Sequence, residues 1–166
     1  FHIDAFNSYG LSEMNGPGVA FECPFKDGLH IWEDSYLAEI VDPQTLEPLP
    51  MGQAGELVLT TLHREGMPLI RYRTKDVTRF VPGICRCGRH HVRIERIAGR
   101  TDDMFILKGV NIFPLQVENV LMNIPETGNN YQIILERKRD GRDVMRLQVE
   151  VDSEHFREDV RFLKDL

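Results

Sequence analysis

The spacing of apolar residues changes near Gly99-Arg100, and this change limits what the chain can fold into. Before it, apolar residues come in short alternating runs separated by Pro- and Gly-rich turns, which predicts β-strands. After it, the pattern predicts two strands, a helix from Pro114, two more strands and a last helix capped by Ser153. We therefore expect an α+β fold class, with a barrel-like β-rich subdomain over residues 1–99 and a small ββαββα domain over residues 100–166.

The predicted elements of the first half are all short. The first residues are expected to run from the end of a strand into a loop at Ser8-Tyr9-Gly10. The strands predicted after that loop cover residues 30–32, 36–41, 55–62, 69–72, 77–81 and 92–97. The strands predicted for the second half cover residues 104–107, 131–136 and 144–151, with a hairpin turn at Gly109.

The charge balance and the apolar runs exclude several classes of protein. Acidic residues outnumber basic ones, 26 against 20, so the formal net charge is −6. That balance argues against a nucleic-acid partner, which would need a basic face. No apolar run approaches the roughly 20 residues of a membrane span, and no secretory signal is visible, so we expect no membrane partner and a cytoplasmic location. The chain begins at Phe1 without a Met, so we expect a fragment or a chain with trimmed ends.

The cysteines suggest a metal site. The chain has three of them, so they cannot all pair, and a reducing compartment is expected. Three thiolates and one imidazole would fill the closed tetrahedral shell of a structural zinc ion. The candidate ligands fall in two loops of the strand-rich half: Cys23, His30, Cys85 and Cys87. The alternatives are His90 or His91 in place of His30, and free buried thiols in place of a metal.

Three polar motifs carry residue types that suit a nucleotide site. Tyr9-Gly10-Leu11-Ser12-Glu13 offers a ring for a base, a hydroxyl for a phosphate and a carboxylate for magnesium, or it is a plain strand-to-loop turn. Tyr72-Arg73-Thr74-Lys75-Asp76 ends in a carboxylate that can accept both ribose hydroxyls, with a surface ion pair as the alternative. Gly99-Arg100-Thr101-Asp102-Asp103 lies where the pattern changes, which suits a hinge as well as a solvated turn.

In this order, and with Gly55-Glu56-Leu57 among them, the motifs resemble those of the acyl-adenylate-forming superfamily over nearly the whole chain. The individual residues in and around these motifs are similar to those of the phenylacetate–CoA ligase family, notably at Cys85-Arg86-Cys87-Gly88-Arg89 and Gly109-Val110-Asn111-Ile112-Phe113-Pro114. The resemblance implies the carboxyl-terminal portion of an enzyme that activates a small aryl acid with ATP and Mg²⁺ and then transfers the acyl group to coenzyme A. Residues 1–99 would end a large adenylation domain, and residues 100–166 would form a truncated lid domain that rotates between the two half-reactions.

The resemblance also implies a role for each residue of the first two motifs at the nucleotide. Tyr9 would stack on adenine beside the turn at Gly10, and Ser12 would lie near the α-phosphate. Glu13 would help to hold magnesium, and Asp76 would bind the ribose hydroxyls. Ser12 and Glu13 are therefore expected to take part in catalysis.

Three later positions receive roles in the same way. Arg100 would contact the ribose side of the adenylate, and Asp102 would be the catalytic hinge. Gly109 would let the pantetheine arm of coenzyme A pass close to the backbone. Lys75 departs from the superfamily, in which Gly is common before the ribose-binding Asp.

Two parts of the superfamily's machinery are missing from the 166 residues, namely the Gly/Ser/Thr-rich phosphate loop and the lysine near the carboxyl terminus that drives adenylation. We therefore expect this stretch alone to be inactive. Two other functions stay open: an adenylating enzyme that loads a carrier protein, and a non-catalytic, zinc-stabilised nucleotide-binding module. Whether the chain forms a homodimer is equally open.

Overall fold

The computed structural model describes residues 3–138 and 141–151. The chain divides into two compact units, Phe1–Asp102 and Asp103–Leu166. The division falls close to the point where the spacing of apolar residues changes in the sequence. Within the described residues, no helix has the length and apolarity needed to cross a membrane.

The first unit consists of short antiparallel strands in two sheets. The strands are β1 (Ser8–Leu11), β2 (Gly16–Glu22), β3 (Leu29–Ile31), β4 (Tyr36–Val41), β5 (Gly55–Thr61), β6 (Tyr72–Thr78), β7 (Phe80–Val81), β8 (Arg93–Ile94) and β9 (Gly99–Arg100). One sheet has the strand order β1-β2-β3-β8-β7, and the other has the order β4-β5-β6-β9. A single turn of 3₁₀-helix, Ser12–Met14, joins β1 and β2.

Both sheets contribute to one hydrophobic core. Leu57 and Leu59 of β5 are fully buried, as are Ile31 of β3 and Ile94 of β8. The remaining core residues are Met14, Val19, Ala20, Leu29 and Ile40. Burial of this apolar surface on both sheets stabilises the unit, since each fully buried side chain of this kind contributes roughly 1.5–3 kcal/mol. The β-rich character expected from the sequence is confirmed, and the strands form two open sheets over a shared core.

The structure differs from the sequence-based expectation at three places in this unit: two predictions were wrong and one strand was missed. Ser8–Leu11 is a strand, where the sequence predicted a loop, because it pairs with β2. Strand β2 itself was not predicted, since it begins with Gly16-Pro17-Gly18, which looks like turn chemistry. The strands predicted over residues 69–72 and 77–81 are replaced by one strand from Tyr72 to Thr78 and the short β7, because pairing with β5 carries the polar run 73–76 through the sheet.

The second unit has the predicted order of elements over its described part. Strands β10 (Phe105–Leu107) and β11 (Val110–Ile112) form a hairpin, followed by helix α1 (Pro114–Leu121), β12 (Thr127–Arg137) and β13 (Asp143–Val151). The hairpin turn contains Lys108 and Gly109, both with positive φ, as a tight two-residue turn requires. The predicted last helix, capped by Ser153, lies outside the described residues.

Candidate functional site

Asp76 is the centre of the polar cluster on the first unit. It lies on β6, where it pairs with Arg100 of β9. Tyr9, on the edge strand of the other sheet, donates its hydroxyl to Oδ2 of Asp76 at 2.6 Å. Arg100 donates from Nη1 to Oδ1 of Asp76 at 3.2 Å. Three residues from three separate motifs therefore meet at one carboxylate, which is only 13% exposed.

Arg100 connects this carboxylate to the predicted hinge. While Nη1 contacts Asp76, its Nε and Nη2 atoms donate to the two carboxylate oxygens of Asp102 at 3.0 and 2.9 Å. This paired hydrogen bond from Arg100 holds the pKa of Asp102 below its ordinary value. Asp102 is also the last residue of the first compact unit.

Tyr9 is held as a hydrogen-bond donor. Burial raises the pKa of the Tyr9 hydroxyl far above its ordinary value, and the hydrogen bond to Asp76 raises this pKa further. The hydroxyl therefore keeps its proton at neutral pH. This hydrogen bond holds the Tyr9 side chain next to the carboxylate predicted to bind ribose.

The 3₁₀ turn after β1 positions Ser12 and Glu13. Both residues are exposed, whereas Met14 is buried in the core and its carbonyl accepts a hydrogen bond from Tyr36 at 2.9 Å. Arg64 donates to the Glu13 carbonyl. The buried Met14 side chain and these two hydrogen bonds therefore anchor the turn, while the Ser12 hydroxyl and the Glu13 carboxylate remain accessible.

Tyr72 links this turn to strand β6. Burial raises the pKa of the Tyr72 hydroxyl, and the nearby Glu13 carboxylate raises this pKa further. The sequence placed Tyr72 inside a motif without assigning it a role, and it did not single out Arg64. Neither contact has a local sequence signal, because the partners lie far apart along the chain.

The three cysteines and His30 form a second cluster in the same unit. Their ligand atoms all lie within 4.8 Å of one another. The Sγ atoms of Cys23 and Cys85 are 3.6 Å apart, and Cys87 Sγ is 3.5 Å from Nε2 of His30. In a tetrahedral zinc site, two sulfur ligands lie about 3.8 Å apart and a sulfur and a nitrogen about 3.5 Å apart, given bond lengths of about 2.3 and 2.0 Å. The donor set therefore fits zinc, and the two pairs measured here have the spacing of such a site.

Two tight turns present the cysteines. The backbone N–H of Lys26 donates to the Cys23 carbonyl at 2.9 Å, and that of Gly88 donates to the Cys85 carbonyl at 3.0 Å. Gly88 has a φ of 80°, a conformation that glycine adopts without strain. Each turn folds the chain back after a cysteine, and the thiol groups of Cys23 and Cys85 both lie in the cluster.

Arg93 fastens the two loops that carry these turns. It is 2% exposed, and its Nη1 donates to the carbonyl and the carboxylate of Asp27 at 2.6 and 2.7 Å. Its Nη2 donates to the carbonyls of Pro82 and Gly83 at 3.3 and 3.0 Å. A Cβ at Gly28 would lie 2.9 Å from the Ile94 carbonyl, so only glycine fits where the first loop returns to the sheet.

The histidine of the cluster is His30, which lies on β3. Burial lowers the pKa of its ring, and the nearby charges of Arg89 and Arg93 lower this pKa further, so the imidazole is neutral and able to bind a metal. His90 is exposed, and His91 makes an edge contact with the Trp32 ring at 6.0 Å. Among the described residues, neither of them belongs to the cluster.

Gly109 lies in the hairpin turn of the second unit. Its φ is 82°, and a Cβ built at this position would meet nothing within 4 Å. The glycine is therefore required by the turn itself, while the space beside it is open. The passage of a pantetheine arm at this position stays a prediction.

Comparison with known proteins connects these sites to a family. A family model described as the AMP-binding enzyme C-terminal domain matches residues 109–166. The chain is 53% identical to phenylacetate-coenzyme A ligase of Thermus thermophilus over 157 residues, which are 94% of this chain and 35% of that protein. It is 51% identical to phenylacetate-coenzyme A ligase of Aromatoleum evansii over 154 residues, which are 92% of this chain and 34% of that protein. The chain belongs to the phenylacetate–CoA ligase family.

The fold of the chain is also similar to that of solved acyl-CoA ligase structures. A 2-hydroxyisobutyryl-CoA ligase in the postadenylation state matches with a TM-score of 0.80 at 30% identity, over 90% of this chain and 32% of that chain. The resemblance that the motifs indicated is thereby confirmed. The chain spans about a third of the length of the curated relatives that it matches.

Proposed function

We propose that the protein containing this chain is an ATP-dependent aryl acid–CoA ligase that converts phenylacetate, ATP and CoA to phenylacetyl-CoA, AMP and pyrophosphate. The observation that carries the proposal is the Asp76 carboxylate, held by Tyr9 and Arg100 beside the Glu13 turn. A nearly buried carboxylate with an aromatic ring next to it suits a ribose and its base. High identity to phenylacetate-coenzyme A ligases supports the choice of acid.

The first half-reaction joins the acid to the nucleotide. The phenylacetate carboxylate attacks the α-phosphorus of ATP, and pyrophosphate leaves. In this step Asp76 holds the ribose hydroxyls and Tyr9 supports the adenine, which fixes the α-phosphate relative to Ser12. The exposed Glu13 carboxylate is an oxygen ligand of the type Mg²⁺ prefers, and bound Mg²⁺ would stabilise the charge on the phosphates.

The second half-reaction transfers the acyl group to sulfur. The CoA thiolate attacks the acyl carbon, and AMP leaves as the C–O bond to the phosphate breaks. We propose that the second unit rotates about Asp102 between the two steps and that Gly109 then borders the pantetheine arm. The boundary between the compact units directly after Asp102 supports this assignment of the hinge.

We further propose that Cys23, His30, Cys85 and Cys87 bind one structural zinc ion. Soft thiolate ligands favour zinc over magnesium or calcium, and four protein ligands leave no position for a reacting water. The ion would cross-link the β2–β3 and β7–β8 loops at one end of the first sheet. Its role would be stability rather than chemistry, because Asp76 and Glu13 do not belong to this cluster.

The activity is tested on the full-length protein. It should release pyrophosphate only when phenylacetate is present with ATP and Mg²⁺, and it should form phenylacetyl-CoA when CoA is added. Transfer to a phosphopantetheine carrier protein but not to free CoA would replace the ligase by a carrier-loading enzyme. If the protein binds nucleotide but does not release pyrophosphate with any aryl acid, the alternative of a non-catalytic, zinc-stabilised nucleotide-binding module would replace the ligase.

A further inference from the structure

The ribose-binding candidate Asp76 lies within an irregularity of the sheet. Strands β5 and β6 pair regularly on either side of it, but between the flanking pairs Leu57 alone faces the three residues 74–76. The flanking pairs are Val58 with Arg73 and Glu56 with Val77. Bulges of this kind re-aim a side chain and are common next to active sites. In a regular ladder, the direction of Asp76 would be set by strict alternation along β6.

Thr74 repairs the hydrogen bonding that the bulge interrupts. Its side chain is buried, and its hydroxyl donates to the Leu57 carbonyl at 2.8 Å. The same hydroxyl oxygen accepts the backbone N–H of Asp76 at 3.1 Å. The Thr74 hydroxyl therefore bonds both the Leu57 carbonyl and the Asp76 N–H, as backbone groups of a neighbouring strand would. The second of these bonds fixes the backbone of Asp76 directly.

Glu56 holds the bulge from its other side. It is fully buried, and Arg73 donates to its two carboxylate oxygens at 2.8 and 2.6 Å. Lys75 has a φ of 69°, which is strained for a residue with a side chain, and its Nζ atom lies 3.9 Å from Glu56. Surrounding contacts must maintain such a conformation. Glycine, which has no Cβ, would adopt the same conformation without strain.

We propose that Thr74 and Glu56 are positioning residues that aim the Asp76 carboxylate at the nucleotide. The inference rests on the proposed role of Asp76 in ribose binding. The backbone N–H of Thr101 donates to the Lys75 carbonyl at 2.8 Å, so the bulge also fixes the segment that leads to Asp102. Neither positioning residue needs to touch the substrate, because each acts through the backbone around Asp76.

Thr78 provides a matched control for Thr74. It lies on the same strand, is 2% exposed, and donates its hydroxyl to a backbone carbonyl, that of Glu95, at 2.9 Å. In the full-length enzyme, Thr74→Val and Thr78→Val each remove one buried hydroxyl bond and should lower the melting temperature similarly. Only Thr74→Val should raise the KM for ATP, by about tenfold, with kcat at saturating ATP within about twofold of the wild type. Thr74→Ser, which keeps the hydroxyl, should restore the KM.

A double-mutant cycle separates positioning from a general loss of structure. In an Asp76→Ala background, Thr74→Val should change the KM for ATP no further, because the group that it positions is gone. Glu56→Gln keeps the side-chain shape and replaces Thr74→Val if that variant does not fold. It should raise the KM for ATP in the wild-type background and leave it unchanged in the Asp76→Ala background.

The outcomes separate the two proposals. If Asp76→Ala itself leaves the KM unchanged, the proposed ribose role fails and this inference fails with it. If Asp76→Ala raises the KM but Thr74→Val and Glu56→Gln behave like Thr78→Val, the positioning role alone is overturned.

Discussion

Tyr9 and Asp76 are 67 positions apart in the sequence, yet the Tyr9 hydroxyl donates to the Asp76 carboxylate at 2.6 Å. This bond joins an edge strand of one sheet to the bulged strand of the other. It brings the residue predicted to meet adenine and the residue predicted to meet ribose into direct contact. The two ends of the proposed nucleoside site thus come from elements that no local sequence window contains together.

The ribose assignment predicts a nucleotide-specific defect. Asp76→Ala in the full-length enzyme should raise the KM for ATP and lower kcat/KM by about 10- to 100-fold, since a charged hydrogen bond contributes roughly 1.5–3 kcal/mol. The KM for phenylacetate should change far less. Glu39→Ala is the control, because Glu39 pairs with the exposed Arg71 outside the cluster. The measurement is steady-state kinetics with ATP varied. If the KM for ATP and kcat/KM of both variants match those of the wild type, Asp76 is not part of the site.

The hinge assignment predicts that the two half-reactions separate. Asp102→Pro fixes φ near −65° and should impair one half-reaction at least tenfold more than the other, because only a pivot must adopt two conformations. Asp102→Ala removes the pair with Arg100 without locking the backbone, so it reports the contribution of the ion pair alone. Pyrophosphate exchange measures adenylation, and acyl transfer from preformed phenylacetyl-adenylate measures thioester formation. Equal losses in both steps, in a folded protein, would argue against a pivot at Asp102.

The zinc assignment predicts a stoichiometry and a ligand set. Elemental analysis of protein purified without added metal should find about one zinc per chain. Cys85→Ser and His30→Ala should lose the metal and lower the melting temperature together, because metal binding is coupled to folding. His90→Ala is the matched control and should keep both. The site would be contradicted if the wild-type protein contained no metal, if its three thiols reacted freely with a thiol reagent, and if a chelator left its melting temperature unchanged.

The buried Glu56 predicts a pH dependence of stability. Burial alone would raise the pKa of Glu56, but the hydrogen bonds and charge of Arg73, with Lys75 nearby, lower this pKa below its ordinary 4.5. A depressed folded-state pKa contributes stability above pH 4.5, and this contribution is lost as the pH falls towards the folded-state value. The wild type should therefore exceed Glu56→Gln in unfolding free energy at pH 7, by roughly 2 kcal/mol.

The measurement for Glu56 is a pair of denaturant titrations, at pH 7 and at acidic pH, on both proteins. The difference between wild type and Glu56→Gln should shrink as the pH falls below 4.5, whereas Glu39→Gln should show little difference at either pH. A difference that stays constant with pH would show that the charge of Glu56 does not stabilise the fold.

Local patterns in the sequence were sufficient for several features. The helix from Pro114 and the hairpin turn at Gly109 follow from a proline at a helix start and a glycine where φ is positive. The zinc candidates follow from residue types alone, because few side chains in a protein can bind that ion. Family membership follows from the order of the motifs along the chain. Each of these features depends on residues close together in the sequence, or on residue identity itself.

Tertiary structure decided the features that depend on distant pairing. Ser8–Leu11 and Gly16–Glu22 are strands because they pair with each other, although their glycines and proline favour turns. His30 rather than His90 or His91 joins the cysteines because β3 carries it to the loop clamped by Arg93. The bulge opposite Leu57, and with it the direction of Asp76, comes from the register between two strands. Register and long-range hydrogen bonds are collective properties of the folded sheets, so no residue's local preference encodes them.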